Sequence, residues 1–596
     1  MDLKGKKYAL NKKKILNYIA FLLVPVCLFY LMEAFEHNAF IEVRPRAQAY
    51  NIFLFELFAW IFFFVIGSAK WALRAEIIIV WLFGVVNHYV MAFRSTPFVP
   101  WDVFSIKTAA SVAGNYDFTP GKEVILVSLA LLVLFVLLRF LDVKASKKVL
   151  WRVLPLGCVC LILSGFVNLL WQPDFQTKSR LYPYLFTPAH MTKVNGMAVT
   201  FAMDMAYVYV EKPEDYSVER AEQILAEYET ATDLEDGINI GTAEDIPSGE
   251  MPNIIVIMNE AFSDVSVLGE FTTNKDYMPF VHSLQNGAKD TITGNLMVSV
   301  CGGNTANTEF EFLTGHTMDY FPVGSIPYQQ YITEELPSLA SQLHKMGYDT
   351  YGIHPFNASG WKRDEVYPLL GLKTNYFLRD FDSRYYIRKY VSDSTSYDKI
   401  IDIYEQKSAD RPMFVFEVTM QNHGGYTDEY ENFASDVYVE EFDSPALNQY
   451  LSLMQVSDEA LQQLIAYFTY ADEKTMILFF GDHQPNDSVV RPILRWNGVN
   501  SNTMSVEDAK KRYIVPYVMW ANFDIEEGTG MDTDISYLGA NLLRVAGIET
   551  SAYQNFLLEM EAVLSNENTS EEIAREYANM HEILQYYFMF DYQKEQ

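Results

Sequence analysis

The chain has 596 residues, 50% of them hydrophobic and 15% aromatic, and a formal net charge of −31. That length excludes a single hydrophobic core, and the acidity excludes a nucleic acid as partner, because a phosphate backbone demands basic surface. The charge is also divided: residues 1–171 carry 18 Lys and Arg against 10 Asp and Glu, whereas the remainder carries 27 against 66. A first part of net +8 and a second of net −39 belong to two different environments.

In chain order, apolar runs over 15–35, 51–69, 73–92, 124–142 and 149–170 each approach the roughly 20 residues that a membrane-crossing helix needs. Lys4, Lys6, Lys7, Lys12, Lys13 and Lys14 place the N-terminus on the cytoplasmic side. Lys70 with Arg74, and Lys144, Lys147, Lys148 and Arg152, fall on the same side. Five spans then leave everything after Trp171 outside the cell. The first run is not a cleaved signal, since four more spans follow and no small-residue cleavage site closes it. Glu56, Glu76, Asn87 and His88 lie in or near spans, where polar groups either serve function or satisfy neighbouring helices. The loop Phe93–Asp102, with Pro97, Pro100, Phe98 and Trp101, reads as an interfacial anchor or as a cradle for a lipid headgroup.

Residues 172–215 are aromatic and irregular and read as a collar next to the membrane. Residues 217–232 have the pattern of an amphipathic helix, and the acidic stretch 233–250 that of a linker. From Pro252 the pattern alternates. Ile254–Met258, Tyr348–Ile353, Met413–Thr419, Thr475–Phe480 and Tyr513–Trp520 have the composition of buried strands, and Ser338–Met346 and Ile535–Val545 that of helices. Such alternation predicts an α/β sandwich around a mostly parallel sheet, whose functional residues gather at the carboxyl ends of the strands. Of four cysteines, Cys27, Cys158 and Cys160 sit in apolar segments and only Cys301 lies in the outer part, which therefore has no internal disulfide.

Three short clusters follow or trail strand-like runs: Met258-Asn259-Glu260, Gly303-Asn304-Thr305 and Gly481-Asp482-His483. Each has an ordinary structural explanation when taken alone. Glu260 is then a loop acid, Thr305 an N-cap, and His483 a satisfied loop histidine. Their shared placement points to chemistry. Two carboxylates, an imidazole and a hydroxyl suit a divalent metal that activates an oxygen nucleophile, with no thiolate to favour zinc. Thr305 at a helix N-terminus gains from the free N–H groups there. Around these, His354 follows a predicted strand, Arg363 offers a planar fork for phosphate, Trp361 a stacking face, and His423 a candidate proton donor to a leaving group.

These residues, in this order, resemble the lipoteichoic acid synthase family, a branch of the alkaline phosphatase and sulfatase superfamily, over nearly the whole chain. The resemblance implies one Mn²⁺ (Mg²⁺ or Zn²⁺ as alternatives) held by Glu260, Thr305, Asp482 and His483, with Thr305 as nucleophile. It implies that His354, Trp361, Arg363 and His423 contact a glycerol-phosphate group. The implied donor is phosphatidylglycerol or a related anionic lipid, and the acceptor a glycolipid or glycan. One departure is visible. The better-known synthases carry Gly-Lys-Thr-Ser at the nucleophile, whereas this chain has Gly303-Asn304-Thr305-Ala306. Sulfatases are set apart by a Cys or Ser within C/S-x-P-x-R, a context that Cys301 lacks.

The expected architecture is a multi-pass α-helical membrane domain of five spans (1–171), juxtamembrane helices and linker (172–250), an α/β sandwich extracellular domain of alkaline phosphatase/sulfatase type (251–550) and a helical tail (551–596). The expected activity is transfer of glycerol phosphate through a phospho-threonine at the outer face of the cell membrane. The alternatives are an extracellular metal-dependent phosphodiesterase or sulfatase-like hydrolase, and a non-catalytic membrane-anchored binding protein.

Overall fold

A computed structural model describes residues 12–94, 97–103, 118–182, 188–208, 210–229, 251–322, 324–500, 504–566 and 568–592. Lys4, Lys6, Lys7, the expected linker 233–250 and part of the 93–102 loop lie outside the described residues. The chain separates into two compact units, one holding the described residues up to Val208, the other those of 210–321 and 325–592.

The first unit contains five helices long and apolar enough to cross a membrane: Lys14–Glu33, Pro45–Ile66, Ala69–Ala92, Lys122–Phe140 and Leu150–Trp171. The second begins six residues earlier than its apolar run because Pro45, which lacks an N–H, suits a first helical position. It ends where Gly67 takes a left-handed cap at φ 83°. Several polar residues in these helices bond their neighbours, whereas both Glu76 oxygens and Glu56 Oε2 are buried without a hydrogen-bond partner. Asn51 donates to Asn195 O at 2.7 Å and accepts from Val199 N at 3.0 Å, and Glu33 accepts from Met197 N at 2.7 Å. The helix Met197–Asp204 is thereby held by two spans. Asn87 accepts from Phe98 N at 2.8 Å, and the His88 ring pairs with Glu36 at 2.8 Å.

The second unit is built on an eight-stranded sheet. Its strands, with those of a small hairpin, are β1 (Asn253–Asn259), β2 (Thr291–Met297), β3 (Asp349–His354), β4 (Thr374–Phe377), β5 (Tyr386–Ile387), β6 (Tyr390–Val391), β7 (Met413–Val418), β8 (Thr475–Gly481), β9 (Ile514–Ala521) and β10 (Thr533–Asp534). The sheet order is β10-β2-β9-β8-β1-β7-β3-β4, and β5 and β6 pair with each other apart from it. Neighbours from β8 to β4 are all parallel; β9 runs antiparallel to both β8 and β2. The sheet is therefore mixed, parallel where the site residues stand. Strand β2 escapes the sequence pattern because Gly294 and Asn295 interrupt it. A Cβ at Gly294 would lie 2.2 Å from the Met531 carbonyl oxygen, so only glycine permits that approach.

Alternate residues of β1 enter two cores. Ile254, Val256 and Met258 face one with Phe310, Phe312, Leu339 and Leu542. Ile255 and Ile257 face the other with Ile400, Leu447, Leu461 and Val490. Helices cover both faces, which is why β1 is apolar at nearly every position rather than alternating. The helices Ala552–Ser565 and Glu571–Tyr586 form a further cluster with Val218–Glu227 through Ile224, Phe556, Leu557, Ile583 and Leu584. The predicted amphipathic helix is thus part of the sheet-containing unit.

Two tests follow from this packing. A Cβ at Gly481 would fall 1.8 Å from Phe262 O, so Gly481→Ala should destabilise the sheet unit by about 2 kcal/mol or more in denaturant titration; an unchanged midpoint would contradict the close approach. The second concerns His282, which bonds Asp276 at 2.8 Å and lies 3.6 Å from Asp264. The Asp264 carboxylate beside it, then the bond to Asp276, outweigh burial and push its imidazole up to about 9. The folded state therefore favours the cation. Stability should hold below pH 6.5 and fall by about 1–2 kcal/mol as pH rises through 9, and His282→Gln should flatten that decline in melting curves.

Candidate metal centre and its surroundings

The site begins with strand register. β1 and β8 run parallel with Asn259 opposite Gly481, so the next residues, Glu260 and Asp482, emerge side by side at the carboxyl edge. β7, on the other flank of β1, continues into Thr419, whose hydroxyl accepts from Glu260 N at 3.0 Å. Asp482 uses one oxygen to order the turn: Oδ1 accepts from Ala261 N at 2.7 Å and His483 N at 2.8 Å. Its other oxygen, Oδ2, is buried and without a hydrogen-bond partner, as is His483 Nε2. The two stand 3.2 Å apart, with Glu260 Oε1 4.0 Å from Nε2.

His483 Nδ1 lies 2.9 Å from the Gln484 carbonyl, which can only accept. That bond takes a proton on Nδ1 and leaves Nε2 as the ring atom facing the carboxylates. That tautomer and its backbone orienter are what a metal-ligating histidine requires. Glu260, Asp482 and His483 each offer a donor atom within 4.8 Å of the others. Two metal–ligand bonds of about 2.0–2.2 Å separate donors by roughly 3–4 Å, so the set fits one divalent cation. Burial, then the charge of Asp482, push the Glu260 carboxyl well up; a cation at this point relieves that repulsion.

Thr305 opens the helix Thr305–Thr314, preceded by Gly302, Gly303 and Asn304 at φ 73°, 153° and 68°. The turn is tied to the Asp482 segment at two points. Gly302 N donates to Gln484 O at 2.9 Å, and Thr308 Oγ1 donates to Asp482 O at 2.8 Å. Thr308 is three residues beyond Thr305, a rise of about 4.5 Å. Thr305 is buried, 7% exposed, and Asn304 Oδ1 is buried beside it without a partner. Asn304 meets the left-handed backbone that this turn needs, since asparagine is among the few side chains that tolerate it.

A charged network stands beside this turn. Arg363 Nε donates to both oxygens of Glu309 at 3.0 and 3.2 Å, and its Nη2 also bonds Glu309. Arg363 Nη1 donates to His354 Nε2 at 3.0 Å, and His354 Nδ1 donates to Val418 O at 2.8 Å. Burial and the Arg363 charge hold the His354 imidazole well below its usual range. Tyr367 completes the set on Glu309 at 2.9 Å. The Arg363 fork is therefore spent on Glu309, with two N–H bonds left over. Trp361, at φ 55°, packs against the core of one sheet face.

His423 bonds Tyr390 OH at 3.0 Å. Burial, then the Arg388 charge, push its imidazole down to about 3. Both disfavour the charged ring at this position.

Sequence reading missed Glu309, Asp393, Asn422 and Arg388. Glu309 had a signal: it stands four residues after Thr305 on one helix. Asn422 and Asp393 had none. Asn259 donates to Asp393 at 2.8 Å and accepts from Asn422 at 2.9 Å, and Ser457 bridges the last two. This buried lattice braces the strand end that carries Glu260.

Residues 252–548 match the Sulfatase family. A protein of Rhizobium meliloti (strain 1021) named for cyclic beta-1,2-glucan modification is 28% identical over 428 residues, 68% of this chain and 61% of that protein. The phosphoglycerol transferase GacH of Streptococcus pyogenes, solved with sn-glycerol-1-phosphate, superposes with a TM-score of 0.51 at 22% identity, covering 63% of this chain and 94% of that one. Lipooligosaccharide phosphoethanolamine transferase A of Neisseria meningitidis gives 0.52 at 14% identity, covering 89% of this chain and 95% of that one.

If Glu260, Asp482 and His483 hold a cation, Asp482→Asn and His483→Gln should each lower bound metal from about one equivalent towards none, read by elemental analysis of folded protein. Full metal content in both variants would place the cation elsewhere.

Proposed function

We propose that this chain, a member of the alkaline phosphatase/sulfatase superfamily and lipoteichoic acid synthase-like, is a membrane-bound phosphoglycerol transferase acting at the outer face of a cell membrane. It takes glycerol phosphate from phosphatidylglycerol or a related anionic lipid and passes it to a lipid-anchored or glycan acceptor. The observation that carries this reading is the convergence of two buried, unpartnered donor atoms, Asp482 Oδ2 and His483 Nε2, on Glu260, beside a helix that begins with Thr305.

In this reading Glu260, Thr305, Asp482 and His483 hold a divalent cation of the Mn²⁺ class, which when bound lowers the pKa of a hydroxyl and offsets phosphate charge. Thr305 Oγ attacks the phosphorus of the lipid phosphodiester. The bond from phosphorus to the diacylglycerol oxygen breaks, and the proton lost by the threonine ends on that oxygen. An acceptor hydroxyl then attacks the phospho-threonine, and the proton that it loses restores the Thr305 hydroxyl. Both steps exchange one phosphate ester bond for another, so no nucleotide is needed outside the cell. The first-turn N–H groups of the Thr305–Thr314 helix favour the negative charge that builds on phosphate. His354 and Arg363, locked by Val418 and Glu309, keep the phosphate side of the site rigid.

Thr305→Ala should lower turnover of fluorescent phosphatidylglycerol by about a thousandfold or more with an unchanged melting temperature, and Thr305→Ser should keep part of it. Wild-type transfer by the alanine variant would remove the nucleophile. The products separate the readings: diacylglycerol with an elongated acceptor means transfer, and diacylglycerol with free glycerol phosphate means hydrolysis.

A further inference from the structure

Three arginines are buried among the described residues, Arg363, Arg388 and Arg512. Arg363 is held by Glu309 and Arg512 by Asp487 at 3.1 Å. Arg388, 4% exposed, is held differently. It stands at the turn between β5 and β6 with φ 56°, and Asn432 fixes that turn by donating to Arg388 O at 2.9 Å and Tyr386 O at 3.0 Å. Its Nη2 donates to Gln421 O at 2.8 Å and His423 O at 2.6 Å. The rings of Tyr390, Tyr426 and Tyr430 lie 5.6, 5.5 and 5.9 Å from the guanidinium carbon. Nε and Nη1 are buried and have no hydrogen-bond partner.

A buried, unpaired donor on a charged group is costly, and native proteins keep one where a ligand or ion completes it. Arginine grips two oxygens of a phosphate along the edge of Nε with Nη2 or of Nη1 with Nη2, and its remaining N–H bonds each take one oxygen singly. Here Nη2 is tied to backbone, so Nε and Nη1 each remain available for an oxygen. The guanidinium is fixed to the loop that carries His423 and Asn422, and Asn422 bonds Asn259, the residue before Glu260. Its positive charge acts on both Glu260 and His423. The open donors thus belong to the neighbourhood of the candidate metal centre, where the Arg363 charge is already matched by Glu309.

We propose that Arg388 is a substrate-binding residue that donates from Nε or Nη1 to an anionic phosphate oxygen of the substrate, and that it supplies the uncompensated positive charge of the site. This deepens the phosphotransfer reading above and rests on it for the identity of the substrate, but not for the anion.

The test uses the full chain in detergent, loaded with Mn²⁺, and calorimetric titration with inorganic phosphate. Arg388→Gly removes the side chain while glycine accepts the left-handed backbone without strain. We expect phosphate affinity to fall at least tenfold, about 1.4 kcal/mol, with Mn²⁺ affinity unchanged, and millimolar guanidinium ion to restore part of the loss. Phosphate affinity equal to wild type overturns the proposal. If the glycine variant loses Mn²⁺, Arg388→Lys decides: it keeps one charge but not the fixed planar donors at Nε and Nη1, so unchanged phosphate affinity again overturns it, and a several-fold loss supports it. Cleavage of phosphatidylglycerol by wild type is measured alongside. Phosphate binding that depends on Arg388 without lipid cleavage sinks the transferase reading and supports this one, whereas cleavage with phosphate binding indifferent to Arg388 sinks this one alone.

Discussion

The parallel register of β1 on β8 is the constraint from which the rest of the site follows. Asn259 opposite Gly481 fixes Glu260 and Asp482 as neighbours, and a slip of one residue would turn one of them away from the other. Gly481 holds that register because the Phe262 carbonyl occupies the space of a side chain there. The loop after β1 folds back over the end of β8, and Ala261 N reaches Asp482 Oδ1 from it. The oxygen left over, Oδ2, is then aimed by the backbone rather than by a flexible side chain. A site whose donors are placed in this way is organised before any cation arrives, and no reorganisation is needed when one does.

The second constraint is charge. A region of net −39 must concentrate its cations if, as proposed, it handles phosphate. Most of its local positive charge is already matched: Arg363 by Glu309, Arg512 by Asp487, His282 by Asp264 and Asp276. Burial and adjacent guanidinium groups disfavour the charged forms of the His354 and His423 imidazoles. What remains to meet an anion is the candidate metal and the one buried guanidinium that faces tyrosine rings and carbonyls. The acidity that argues against nucleic acid at the level of composition thus leaves few unmatched cations for the site.

Much of this was legible in the sequence, and the rest was hidden for definite reasons. β1, β7, β8 and β9 announced themselves because strands buried on both faces are apolar at nearly every position. β2 was hidden by Gly294, which is there for a backbone approach from Met531. Glu260, Asp482 and His483 stood one or two residues beyond recognisable strands, so topology alone brought them together. Arg363 looked like a free phosphate fork because its partner, Glu309, lies 54 residues earlier. Arg388 looked like one of many loop cations. Only burial and the list of bonds it makes separate it from the solvated arginines around it.

Asn304 joins these arguments. Its backbone is left-handed at φ 68°, and the glycines before it share positive φ values, so the turn ahead of Thr305 is set by three residues that each tolerate that region. Lipoteichoic acid synthases of the familiar pattern place a lysine where this chain has Asn304. A lysine brings a mobile charge on a four-carbon stem, whereas asparagine brings a short polar side chain whose Oδ1 is here buried and unpartnered. If phosphate is held beside Thr305, as proposed, the charge has to come from another element. The β5–β6 hairpin provides one, pinned by Asn432 and presented by a residue that is itself left-handed. In the proposed function the two positions divide the work: Asn304 sets the turn before Thr305, and the buried Arg388 carries positive charge that Asn304 does not bring.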